Sequence, residues 1–183
     1  MKLGIISDTH DRLDTLELAI KKLADEKVGA IIHCGDWVSP FVLEFFDQTC
    51  QKYGLSAPTY SVFGNNDGAD ALRVIQRNNA LKNPVHFSSK PSYPLELDGK
   101  KIIIYHGHDK NLLNGLIQSG KYDVVFHGHT HIPRNEVIGN TLVFNPGSTA
   151  KARQSRFVDD VTLGLYETQT GKGEIIYLKE VKK

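Results

Sequence analysis

Several features that would assign this chain to a special environment are scarce or missing. It has only two cysteines in 183 residues. Cys34 closes an apolar run and Cys50 falls in a helical stretch, and no secretory-type leader precedes them, since Met1-Lys2-Leu3-Gly4-Ile5-Ile6 runs directly into Ser7-Asp8. A disulfide is therefore not expected, and the cytoplasm is the expected location. No apolar run approaches the roughly 20 residues that span a bilayer, so no membrane association is expected. A surplus of one charge sign is missing too. Lys and Arg number 22 against 21 Asp and Glu, a net charge of +1. The basic footprint of a nucleic-acid binder and a separate module for it are both absent, so a small anionic substrate is the better fit. Repeats and low-complexity segments are also lacking. The length suits a single domain over residues 1–183, large enough to bury roughly 70% of its unfolded surface.

What is present is alternation. Residues 2–7 read as a buried strand. Residues 12–26 read as a helix, with Leu13, Leu16, Ile20 and Leu23 at helical spacing. Residues 29–33 and 59–63 read as strands, and 69–79 as a helix. Ser39-Pro40 has the pattern of an N-cap followed by a first-turn proline, opening a helix to about Lys52. Beyond this the pattern turns strand-rich. Asp98-Gly99 and Gly139-Asn140 are hairpin signals, flanked by 94–97 and 101–105 and by 132–138 and 141–144. A helix is expected over 110–119, a short buried strand over 122–126, and a last pair over 161–167 and 173–179, with 147–160 as a polar loop. Parallel βαβ units followed by hairpins predict a four-layer α/β/β/α sandwich of two mixed sheets flanked by helices.

The chemistry lies where the apolar runs stop. One ends in Asp8-Thr9-His10, the next in Cys34-Gly35-Asp36, and the third in Gly64-Asn65-Asn66-Asp67. Two more end in His106-Gly107-His108 and His127-Gly128-His129-Thr130-His131. Carboxyl ends of strands are where open α/β sheets bind ligands. In an extended segment, residues two apart share a side, so Asp8 with His10 and His129 with His131 are expected to aim at common points. Asp8, His10, Asp36, Asn65, His106, His129 and His131 make seven candidate ligands. Seven is too many for one tetrahedral zinc and suits two ions roughly 3.5–4 Å apart. Imidazole with carboxylate suits manganese, iron(II), zinc or nickel.

In this order, Asp8-x-His10, Gly35-Asp36, Gly64-Asn65-x-Asp67, His106-Gly107 and Gly128-His129-x-His131 resemble the signature of the calcineurin-like metallophosphoesterases. With the length and Asn145-Pro146-Gly147-Ser148, they look like its small prokaryotic phosphodiesterase subfamily. The motifs span roughly residues 1–150. The resemblance implies a metallo-dependent phosphatase-like fold and a binuclear centre. Asp8, His10, Asp36 and His131 would hold one ion, and Asp36, Asn65, His106 and His129 the other, with Asp36 bridging. It implies Mn²⁺-supported hydrolysis of phosphodiesters such as bis-p-nitrophenyl phosphate, through attack by a water or hydroxide bridging the two metals. One position departs. Many relatives carry histidine after the signature asparagine, where this chain has Asn66. An amide can hydrogen-bond a phosphoryl oxygen but cannot act as general acid. Asn66 and His108 are accordingly the candidate catalytic residues, with His108 or metal-bound water as proton source.

Other positions admit two readings. Asp8 and Asp36 could be a helix cap and a turn residue. His127 could orient a ligand or be a satisfied core histidine, while His33 and His86 read as structural or surface residues. Trp37 could line the cleft or pack. Asp67 reads as a helix cap or a brace for the Asn65 loop. Asn145–Ser148 could be functional or a Pro-Gly turn. Arg153 and Arg156 could clamp a substrate phosphate. The helix bearing Phe41, Phe45 and Phe46 could be core or interface, and a homodimer or homotetramer is open. The rival functions are a phosphomonoesterase, a nuclease, and a non-catalytic scaffold of the same fold such as a retromer subunit.

Overall fold

The computed structural model describes residues 1–78, 80–150 and 161–178. Its first half alternates strands with helices: β1 (Lys2–Ile6), α1 (Leu13–Asp25), β2 (Ala30–His33), α2 (Phe41–Lys52), β3 (Thr59–Ser61), α3 (Ala69–Asn78) and β4 (Val85–Phe87). The second half holds β5 (Ser92–Leu97), β6 (Lys100–Tyr105), α4 (Lys110–Gln118), β7 (Val124–Phe126), β8 (Arg134–Ile138), β9 (Thr141–Asn145), β10 (Val161–Glu167) and β11 (Lys172–Leu178). A six-stranded sheet runs β11-β10-β1-β2-β3-β4, and a five-stranded sheet runs β5-β6-β7-β9-β8. In the first sheet β1 to β4 are parallel and β10 and β11 antiparallel. In the second, β6, β7 and β9 are parallel, with β5 and β8 antiparallel at the edges. Both sheets are mixed, and the α/β/β/α layering follows from how the strands divide their side chains.

The period-2 alternation of each strand supplies two interfaces at once. Leu3, Ile5 and Ile32 meet Ile102, Ile104, Phe126 and Phe144 between the sheets. Their neighbours Ile6 and Ile31 face the other way, against Leu16, Ile20 and Leu23 of α1 and Phe46 of α2. Ile103, Val125 and Val143 turn outward to Leu113 and Ile117 of α4. Three helices thus cover one sheet and α4 covers the other. In α2, Phe46 is core, Phe45 is half-buried and Phe41 is exposed.

Three local expectations are corrected. Ser39 does not cap α2: its hydroxyl donates to Asp11 Oδ2 at 2.6 Å, and Pro40 occupies the cap position. Strand β4 was not foreseen, because Val-His-Phe is too short to show a period. The segment 132–133 does not belong to β8, where Pro133 delays pairing until Arg134.

Candidate metal centre

All parallel strands of both sheets deliver their carboxyl ends to one side of the molecule. The turns after β1, β2, β3, β6 and β7 carry the seven expected ligands, and they do so with unusual backbone. Asp8 (φ 54°), His10 (45°), Asp36 (64°), His129 (70°) and His131 (58°) all lie in the left-handed region. Non-glycine residues seldom adopt it, and such conformations gather at functional sites held by their surroundings. Neither pair therefore lies on an extended segment: the chain curls at each residue. Asp8 and His10 still converge, but His129 and His131 part, His131 toward Asp8 and His10, and His129 toward His106.

One cluster joins Asp8, His10 and His131. The two imidazole Nε2 atoms face each other at 3.1 Å. Asp8 Oδ1 stands 3.3 Å from His131 Nε2 and 3.8 Å from His10 Nε2. It is fully buried and accepts no hydrogen bond. Asp8 Oδ2, by contrast, accepts from Ser7 Oγ (2.6 Å) and the His129 amide (3.0 Å). A second cluster joins Asp8, Asp36 and His106. His106 donates from Nδ1 to the Cys34 carbonyl at 2.8 Å, which leaves Nε2 as the ligand atom. That nitrogen faces Asn65 Oδ1 at 3.0 Å and Asp36 Oδ2 at 3.5 Å. Asp36 Oδ2 also lies 3.4 Å from His10 Nε2, between the two groups, while Asp8 is common to both. His129, exposed at the mouth, belongs to neither close group. Its ring lies 5.1 Å from that of His106.

The clusters attract positive charge. Burial raises the Asp8 carboxyl, but the facing imidazoles of His10 and His131 outweigh it and hold the group well below the usual carboxylate range. Burial likewise opposes Asp36, yet His106 and Asn66 bring it to about 2. His106 is lowered by burial but raised more by Asp36. Lone pairs converging on one space, with a buried oxygen lacking any donor, fit a cation.

The surroundings fix the ligand loops. Asp67 accepts from the amides of Asp36 (3.0 Å), Val38 (2.7 Å) and Gly64 (2.7 Å), so it is a brace for the Asn65 loop. Asn66 holds both oxygens of Asp36, through its amide nitrogen (2.9 Å) and its side-chain Nδ2 (2.7 Å). His33 is buried, bonded to Thr9 Oγ1 (2.8 Å) and stacked on Trp37, whose indole donates to Ser61. Trp37 therefore packs and does not line the cleft. His108 is exposed at the rim, its ring 5.7 Å from His106 and 6.4 Å from His129. Asp8 caps no helix, and α1 begins without a side-chain cap. Arg153 and Arg156 lie outside the described residues.

Sequence reasoning undervalued the segment after β9. Asn145 donates to the Gly128 carbonyl (2.9 Å) and Thr130 Oγ1 (3.1 Å), pinning the His129–His131 loop. Ser148 Oγ donates to the Asp8 carbonyl (2.9 Å), and the amides of Thr149 and Ala150 bond the carbonyls of Ser7 and Asp8. The visible signal was that this run, too, ends in polar residues.

Residues 1–171 match the calcineurin-like phosphoesterase superfamily domain. The chain belongs to that superfamily and is a phosphoesterase. Among its relatives, a phosphodiesterase of Methanocaldococcus jannaschii is 40% identical over 152 residues, 80% of this chain and 83% of the relative. A probable metallophosphoesterase of Bacillus subtilis is 30% identical over 162 residues, 85% and 79% of the respective chains. The solved structure of an archaeal phosphodiesterase superposes with a TM-score of 0.80 at 36% identity, covering 97% of this chain and all of that one. Divalent metal is implied by the family and suited by the Asp and His groups. No helix among the described residues is long and apolar enough to cross a membrane.

Proposed function

We propose that this chain is a single-domain, binuclear metal-dependent phosphodiesterase acting on a small phosphate diester. The observation that carries it is the pair of linked clusters sharing Asp8, with Asp36 Oδ2 between His10 and His106. Asp8, His10, Asp36 and His131 would hold one cation, and Asp36, Asn65, His106 and His129 the other, Mn²⁺ being favoured. Bound there, two dications supply the Lewis acidity that activates water and neutralises charge on the phosphoryl group. The protein's own part is orientation: Cys34 sets the tautomer of His106 and Asn66 sets the rotation of Asp36. Because an amide at Asn66 cannot act as general acid, the proton for the leaving group is assigned to an imidazole N–H of His108, which is exposed at the mouth. Preference for a diester over a monoester is supported by the relatives that carry the phosphodiesterase name. Filled ligand positions disfavour the non-catalytic scaffold. The buried free thiols of Cys34 and Cys50 suit the reducing cytoplasm.

The test is to strip the protein with chelator and assay bis-p-nitrophenyl phosphate and p-nitrophenyl phosphate with Mn²⁺, Ni²⁺, Zn²⁺ and Mg²⁺, beside Asp36→Asn and His129→Ala. Metal-dependent diester turnover lost in both variants is the expected result. Absence of both turnover and bound metal would return the scaffold reading.

A further inference from the structure

Strand β8 ends the five-stranded sheet, with β9 on one flank and no backbone partner on the other among the described residues. The ladder shows which of its groups are open. Leu142 N–H and the Phe144 carbonyl bond across to Asp123 and His127, on the β7 side. Thr141, Val143 and Asn145 therefore turn to β8, opposite Ile138, Glu136 and Arg134. By alternation, Asn135 and Val137 present their N–H and C=O groups outward. Open edges are usually blunted, yet Val137 is 68%, Ile132 58% and Ile138 39% exposed.

We propose that β8 is a self-association edge, pairing antiparallel with β8 of a second copy of this chain about a two-fold axis through Asn135. The segment Ile132-Pro133-Arg134-Asn135-Glu136-Val137-Ile138 is chemically self-complementary in that register. Arg134 falls opposite Glu136 of the second copy, and Ile132 opposite its Ile138, each twice by symmetry. Arg134 and Glu136 already pair within one strand, so the two-fold closes four charges of alternating sign. A register one residue along, centred on Glu136, would set that carboxylate against its own copy and is excluded by like charge. The chosen register also satisfies the outward amides. Asn135 pairs with itself, and Val137 N–H meets the carbonyl of Pro133, whose missing N–H is tolerated on an edge. The two five-stranded sheets then run on as one. This inference is independent of the hydrolytic reading.

Sedimentation velocity over a concentration series on the full chain tests it, with Arg134→Glu, Glu136→Arg and their equimolar mixture. Circular dichroism checks that both variants fold. The wild type is expected to dimerise reversibly, and each variant to weaken the dimer by at least about tenfold, since each sets like charges opposite. The mixture is expected to recover it, because one all-acidic and one all-basic strand are complementary. A wild type that remains monomeric, a dimer that both variants retain, or a mixture that fails to recover would each overturn the proposal.

Discussion

Asn66 grips the carboxylate of Asp36 with both of its nitrogens, at 2.9 and 2.7 Å. The residue that the family resemblance would set against a substrate is thereby engaged with the Asp36 carboxylate. Replacing Asn66 by Ala removes the side-chain half of the grip and keeps the backbone half. Metal affinity should fall about tenfold or more, as is usual when a partner of a ligand is lost. Calorimetric titration of the stripped protein with Mn²⁺ reads this directly.

An amide at position 66 also sets an expectation for the leaving group. With His108 donating the proton, the rate should vary weakly with leaving-group pKa in the wild type and steeply in His108→Ala. A series of aryl phosphodiesters measures both slopes. Equal slopes would show that the proton comes from elsewhere.

The contribution of His33 to metal-free stability should fall on mild acidification. Burial pushes the His33 imidazole down from its ordinary 6.5 to about 3. Between those values the unfolded chain binds a proton that the folded chain refuses, so stability rises with pH across that window and falls as pH is lowered. Going from pH 7 to pH 5 should cost about 2 kcal/mol through this residue. Urea unfolding with chelator present should show a smaller loss in His33→Gln.

Gly128→Ala should cripple the centre. A methyl group there would reach within 2.6 Å of Asp8 Oδ2 and collide with Ser7 Oγ. The carboxylate must move or the loop must open, at a cost of about 1–3 kcal/mol. Loss of bound Mn²⁺ with a lowered melting temperature is expected, whereas Gly115→Ala, on the open face of α4, should leave metal binding unchanged.

Chelation itself should lower the melting temperature of the loaded protein. Ions that bind only the folded chain stabilise it by about 2.7 kcal/mol at one hundred times their dissociation constant. Asp36→Asn should show little further shift on chelation, because it has little metal to lose.

The fold was readable because its strands carry period-2 patterns long enough to see, and because Asp98-Gly99 and Gly139-Asn140 mark their turns openly. Ile102–Tyr105 and Val124–Phe126 announced themselves differently, as unbroken apolar runs that stop at a histidine. Val85–Phe87 did not, since three residues give no period and its burial comes from α3 and β3. The candidate ligands were legible as residue types at strand ends. Their grouping was not, because it depends on left-handed backbone at Asp8, His10, Asp36, His129 and His131, and no local pattern specifies how far a turn curls. The braces were harder still. Asn145 and Ser148 look like ordinary turn residues until the loops they hold are seen beside them.

The bond from Ser148 to the carbonyl of Asp8 spans 140 positions of chain. During synthesis, Asp8 and His10 emerge long before the residue that makes their clasp. A product truncated between His131 and Ser148 would carry all seven candidate ligands without the strap that shapes them. Nonsense truncation or late frameshift would therefore leave an uncocked site, since the shape of the first candidate ligand to be made depends on a residue made long after it.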